Sequence, residues 1–339
     1  MKFYTNVSVI KNKIGIIGYD NGRRFTDLVD FGPTLYTRVQ QETEWKTIKG
    51  DYVTPRTFHD IQEARNWVKQ MEDITNFNFY GNTNFAAQYV LDTFGQDIAF
   101  ERKNIRVGYI DIEVESDAGF PEPREAKHPV ITITAMNSHN GVYHVWGMVD
   151  YSETDSEITE LKGNIVYHKC STERELLMSF VNWWQNNYPD AVTGWYSKMF
   201  DIPYLVNRIT FVLGESTMKK LSPFGIVRER TINMTGRKDG IQTYIIEGVQ
   251  DLDYMELFRK FGYVFGPQES YRLDHIAHVV LKERKLSYAE HGSLASLYKD
   301  NPQKFVDYNI KDVLLVAKLD AVLDYITLAA TIAYRAGGN

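Results

Sequence analysis

Two carboxylates stand two residues apart at Asp111 and Glu113, inside a run from Arg106 to Glu115 that reads as a strand. Strand period puts Val107, Tyr109, Asp111 and Glu113 on one side and Gly108, Ile110, Ile112 and Val114 on the other. Both carboxylates then lie a few ångströms apart on one face. Buried like charges are costly unless they share a proton, meet cations or hold a metal. With no Cys or His beside them, the pair suits a hard divalent ion, Mg²⁺ or Mn²⁺, better than zinc. Asp-x-Glu also arises by chance as a solvated strand end. The apolar flanks instead place this one at the end of a buried strand, where open α/β sheets put ligand sites.

Three further residues could join it. Asp201 lies in Gly194-Trp195-Tyr196-Ser197-Lys198-Met199-Phe200-Asp201-Ile202-Pro203-Tyr204. An Asp shortly before Pro at a helix start reads as an ordinary N-cap, a role compatible with a ligand role. Tyr308 and Asp312 are four apart in a helical pattern, one turn above each other. Lys311 and Asp307 give that helix a wet side, on which Asp312 could be a plain exposed acid. The functional alternative is a carboxylate ligand with a phenol one turn away that holds a water.

The elements that must position these residues follow from patterning. The chain has 339 residues, 43% hydrophobic and 24% charged, with a net charge of −6 and one cysteine, Cys170. That is enough for about two domains and leaves no internal disulfide. It fits a reducing, intracellular setting. No apolar run approaches about 18 residues, so no membrane span or membrane partner is expected. Residues 1–40 alternate as strands, with a hairpin turn at Asp20-Asn21-Gly22. His59 to Met71 reads as a helix, and 74–97 gives no firm assignment. Strands follow the Asp111 strand at 130–137 and 142–149, in an antiparallel meander, and again at 165–167. Thr172-Glu173-Arg174-Glu175 is a capping box that opens a helix toward Pro189. A short buried strand covers Ala191 to Trp195, and residues 226–247 read as a long hairpin. Two or three helices fill 252–282, and one helical stretch runs from Gln303 to Tyr334. The expectation is an α/β, mixed-sheet domain preceded by a smaller, strand-rich α+β one. Lys219, Lys220, Arg228, Arg230, Arg237 and Lys238 crowd one stretch against Glu229 alone, which fits either a polyanion at one edge or a solvated loop.

Taken together and in this order, the motifs resemble the proofreading exonuclease of family B DNA polymerases, in the DEDDy group of 3′→5′ exonucleases. The first is Tyr109-Ile110-Asp111-Ile112-Glu113, the second spans Gly194-Trp195 to Phe200-Asp201-Ile202-Pro203-Tyr204, and the third is Tyr308-Asn309-Ile310-Lys311-Asp312. Asp117-Ala118-Gly119-Phe120-Pro121-Glu122-Pro123, Phe211-Val212-Leu213-Gly214-Glu215-Ser216-Thr217 and Leu252-Asp253-Tyr254 look closest to T4-like phage replicative polymerases. The resemblance implies an RNase H-like exonuclease domain at 106–324 after an N-terminal domain at 1–105, with the last helix, about 325–339, packing back on the latter.

It further implies two metal ions, Mg²⁺ or Mn²⁺, with Asp111 bridging them. Glu113 and Asp312 complete one site, Asp201 serves the other, and Tyr308 orients the attacking water. Phe120 would stack on a base, and the hairpin at about 228–247, with Arg228, Arg230, Arg237 and Lys238, would lie where primer parts from template. The substrate would be single-stranded DNA or a primer 3′ end. Missing polymerase domains and a sliding clamp would be partners. Palm, fingers and thumb motifs do not occur, so DNA extension is not expected from this chain. Tyr196 stands where the family often has Asn. The alternatives are a non-catalytic single-stranded nucleic-acid-binding subunit of a split polymerase and a ribonuclease of the same group.

Overall fold

The structure is a computed structural model that describes residues 1–74, 77–95, 98–115, 121–232 and 240–338. Phe120, Arg237 and Lys238 therefore lie outside the described residues. It divides into two compact units, Met1–Glu101 with Ala330–Asn339, and Arg102–Ala329.

Turn chemistry organises the first unit. Asn21 and Gly22 both take left-handed backbone, with φ of 49° and 80°, the hairpin geometry that suits strand twist. They join β2 (Lys13–Asp20) to β3 (Arg23–Val29), and β1 (Lys2–Ile10) completes an antiparallel sheet. A second sheet orders β5 (Trp45–Lys46), β6 (Tyr52–Thr57), β4 (Thr34–Arg38) and β7 (Phe79–Tyr80). Helix α1 (Ile61–Glu72) starts where Asp60 accepts a hydrogen bond from the Glu63 N–H, and it buries Ile61, Ala64 and Trp67. Helix α2 (Phe85–Phe94) occupies the stretch that sequence left unassigned. It buries Phe85 and Val90, but its apolar residues are spread around the whole helix, which blurs the helical period. The Tyr4 and Tyr334 rings meet edge-on at 5.1 Å, and the Tyr334 hydroxyl donates to the Tyr4 carbonyl.

The second unit is built on a mixed sheet of six strands in the order β11-β10-β9-β8-β12-β15. The strands are β8 (Val107–Val114), β9 (Val130–Asn137), β10 (Val142–Gly147), β11 (Ile165–Lys169), β12 (Ala191–Thr193) and β15 (Gln250–Asp251). β8, β9 and β10 form the antiparallel meander, while β11, β12 and β15 join their neighbours in parallel. One face packs on α3 (Glu173–Asn186) and α4 (Asp201–Leu213), where Ile110 and Ile112 meet Leu176, Phe180, Trp184 and Leu205. Burying each such side chain contributes roughly 1.5–3 kcal/mol. The other face of β8 and β9 packs on α9 (Pro302–Leu323). Gly194 ends β12 tightly: a Cβ there would stand 2.5 Å from the Ile110 carbonyl oxygen, so only glycine permits the approach.

Shorter elements complete this unit: α5 (Glu215–Met218), the hairpin β13 (Val227–Ile232) and β14 (Ile241–Ile246), α6 (Tyr254–Phe261), α7 (Leu273–Leu281) and α8 (Leu294–Asp300). Two expectations need correction. The stretch from Gln303 to Tyr334 is two helices, α9 and α10 (Tyr325–Arg335), parted where Asp324 turns left-handed at φ 52°. The predicted wet side of α9 is also buried: Asp307 is fully enclosed and Lys311 almost so. Asp307 accepts from the Tyr151 and Ser156 hydroxyls and the Glu157 N–H, and Lys311 pairs with Glu283 at 2.7 Å. A polar residue that finds partners inside looks, in sequence, like one that faces water.

Candidate active site

β8 places Asp111 and Glu113 on the face turned to α9, and α9 carries Asp312 over them. Oxygen atoms of Asp111, Glu113 and Asp312 all lie within 4.8 Å of one another. Asp201 reaches the group from the other side. It is the first residue of α4, and its Oδ1 accepts the Ile112 N–H at 3.0 Å, between the two strand acids. This corrects the N-cap reading: Phe200 holds the cap position, with no side-chain cap bond. β12 ends at Thr193, so it leaves the Ile112 N–H without a strand partner, and Asp201 supplies one.

Among the described residues, one cation pairs directly with these acids. Lys285 Nζ lies 2.5 Å from Asp312 Oδ2 and 4.5 Å from the centre of the Tyr308 ring. Burial works against its ammonium, but Asp312, Tyr308 and Asp111 outweigh that and hold its pKa well above the usual lysine range. One positive charge does not balance four carboxylates. Burial, with Asp201, Asp312 and Glu113 beside it, pushes the Asp111 carboxyl far up. Burial and Asp312 raise Glu113 to about 8. Burial, with Asp253 and Asp312 adding to it, outweighs the N–H groups that Asp201 accepts from and lifts it to about 7. Asp312 is raised by burial against the pull of Lys285, and its Oδ1 is buried with no hydrogen-bond partner. Burial also raises Tyr308, so its phenol stays protonated at neutral pH.

The donor set is all oxygen and under-neutralised, and one carboxylate oxygen has no partner. Those residues fit hard divalent cations, and Asp111, Glu113, Asp312 and Asp201 could hold them. Two cavities adjoin the cluster. An open one of about 690 Å³ has Asp111, Asp312 and Tyr308 in its lining, with Arg272, Arg284 and Lys285 beside them. An apolar one of about 320 Å³ lies past Glu113 and is lined by Ile131, Phe200, Leu294 and Phe305 among others.

Sequence reasoning missed Lys285, Arg272 and Arg284, which stand on or beside loops where no local period marks them. Asn309 was also missed, although a buried amide in a helix beside Tyr308 is itself a signal. Of the basic residues named from sequence for the hairpin, Arg228 and Arg230 are described and stand elsewhere. Arg228 pairs with buried Glu247 at the base of the hairpin, and Arg230 lines a small cavity with Lys198 and Asp251. Tyr196 adopts φ 70°, left-handed backbone that Asn tolerates far better than Tyr.

The family model described as the DNA polymerase family B exonuclease domain matches residues 59–276. The DNA-directed DNA polymerase of Enterobacteria phage T4 is 33% identical over 356 residues, covering 99% of this chain and 38% of the relative. That of Escherichia phage RB69 is 36% identical, covering 99% and 39%. The DNA polymerase catalytic subunit of Psittacid herpesvirus 1 is 25% identical over 62% of this chain. The chain thus spans about two fifths of the length of its phage relatives. With the acids of all three motifs gathered around the C-terminal half of β8, this chain belongs to the family B DNA polymerase exonuclease-domain family.

Proposed function

We propose that residues 102–329 form a metal-dependent 3′→5′ exonuclease that removes nucleoside monophosphates from single-stranded or frayed DNA ends, the proofreading part of a replicative polymerase. The observation that carries this reading is the meeting of Asp111, Glu113 and Asp312 within 4.8 Å, with one carboxylate oxygen unpartnered. Two divalent cations, Mg²⁺ or Mn²⁺, supply charge stabilisation to the attacking and leaving oxygens of an in-line displacement when bound.

The chain's own residues account for the rest. In the reaction a water oxygen bonds to phosphorus and the phosphorus–O3′ bond of the preceding nucleotide breaks. Tyr308, protonated at working pH, holds that water by hydrogen bonding and does not act as a base. Lys285, fully charged and beside Asp312, meets negative charge building on the phosphate. Arg272 and Arg284 draw the strand to the open cavity without reading sequence. The apolar cavity beside Glu113 receives the terminal base by its faces, so any base enters.

An end-labelled oligonucleotide tests the proposal. Stepwise shortening from the 3′ end with Mg²⁺ or Mn²⁺, stopped by EDTA, is the expected result. Salt-dependent binding without cleavage would overturn it in favour of a non-catalytic binding subunit. Faster cleavage of RNA would assign the site to ribonuclease chemistry.

A further inference from the structure

Asp111 has a buried neighbour that the mechanism above does not use. Thr134 stands directly opposite Asp111 on β9, and Asn309 of α9 lies over both. The Asn309 amide nitrogen donates to Asp111 Oδ2 at 2.6 Å, and its carbonyl oxygen accepts from the Thr134 hydroxyl at 2.5 Å. Asn309 and Thr134 are fully buried. With the amide nitrogen donating to the Asp111 carboxylate, its oxygen is left to accept from the Thr134 hydroxyl, and a flip would set a carbonyl against that carboxylate. The Asp111 contact sets the orientation of the amide, and Thr134 holds its other end from β9.

We propose that Asn309, locked by Thr134, is a positioning residue: it pins Oδ2 of Asp111 and so presents Oδ1 to a divalent cation held with Glu113 and Asp312. This rests on the metal-dependent reading above and extends it to a residue pair that touches neither metal nor DNA. The chemistry favours an amide over the alternatives at this position. A second carboxylate would add a charge to a cluster already short of cations. An aliphatic side chain would free Asp111 to rotate and leave the Thr134 hydroxyl unpaired. Groups that orient metal-binding carboxylates typically set affinity or activity by about 10–100-fold.

The test uses the full chain and Mn²⁺ alone as probe, with binding followed by the loss of the free-ion electron paramagnetic resonance signal. Asn309→Leu should weaken Mn²⁺ binding by about 10–100-fold. Its kcat on an oligonucleotide should fall at limiting metal and recover as Mn²⁺ is raised, with KM for the strand unchanged. Thr134→Val should shift Mn²⁺ binding in the same direction but less, and Thr134→Ser, which keeps the hydroxyl, should restore it. If Asn309→Leu does not fold, the Thr134 pair alone decides. Unchanged Mn²⁺ affinity in Asn309→Leu, or in Thr134→Val where that pair decides, would overturn the positioning role while leaving the nuclease reading intact, even if melting temperature dropped. Mn²⁺ binding by the unchanged chain without cleavage would overturn the nuclease reading and leave the positioning role standing. No Mn²⁺ binding by the unchanged chain would overturn both.

Discussion

Helix α9 carries two stripes of buried polar residues, and they are treated in opposite ways. Along Asp307, Lys311 and the half-buried Lys318 every polar group finds partners. Asp307 takes three donors, and Glu283 bridges Lys311 and Lys318 at 2.7 Å each, with Glu160 closing the network at 2.6 Å from Lys318. Along Tyr308 and Asp312, about a quarter-turn away, four carboxyls face a single ammonium and one oxygen has no partner. Matched buried charges fix a fold. Unmatched ones store repulsion that only protons or cations relieve. The same helix thus has a satisfied stripe and an under-neutralised one, which we propose as the reactive stripe, told apart by partner count rather than by residue type.

The comparison can be broken first at its reactive stripe. Asp111→Ala should cut oligonucleotide cleavage by at least about three orders of magnitude, the loss of several kcal/mol of charge stabilisation. A full stripe-to-stripe contrast comes from Asp307→Ala, which strands three donors and should lower stability by about 3 kcal/mol in urea unfolding. Cleavage per folded molecule should stay unchanged, and a collapse of kcat there would end the distinction.

pH sharpens it further. Asp201 and Glu113 hold protons to about 7 and 8 when folded, against about 4 when unfolded. The folded chain then binds more protons than the unfolded one across that range, so stability falls as pH rises from about 4 through 8. Calorimetry of the metal-free protein should show melting temperature dropping over that window, and added Mn²⁺ should reverse the drop at pH 8. A flat profile would mean the carboxyls are already neutralised by protein groups. The smallest effect lies outside both stripes: Tyr196→Asn should raise stability by about 1 kcal/mol, by easing left-handed backbone at φ 70°.

Much of this was legible before the fold was. The strand through Asp111, the capping box at Thr172 and the hairpin turn at Asn21-Gly22 follow from period and turn chemistry. Each is a short-range signal that neighbouring residues determine. The misreadings share one cause. Asp201 reads as a cap, and Asp307 and Lys311 read as wet, because a polar side chain does not announce its partner. Those partners sit between 28 and 156 residues away.

By itself, the sequence determined which residues could hold a cation and that Asp111 shares a face with Glu113 and Tyr308 with Asp312, since strand and helix periods are local. Only the tertiary structure decided that the two faces meet, that Lys285 comes to pair with Asp312, and that Asn309 donates to Asp111. Those outcomes depend on how α9 packs across β8 and β9, where chain segments about 200 residues apart come within hydrogen-bond reach.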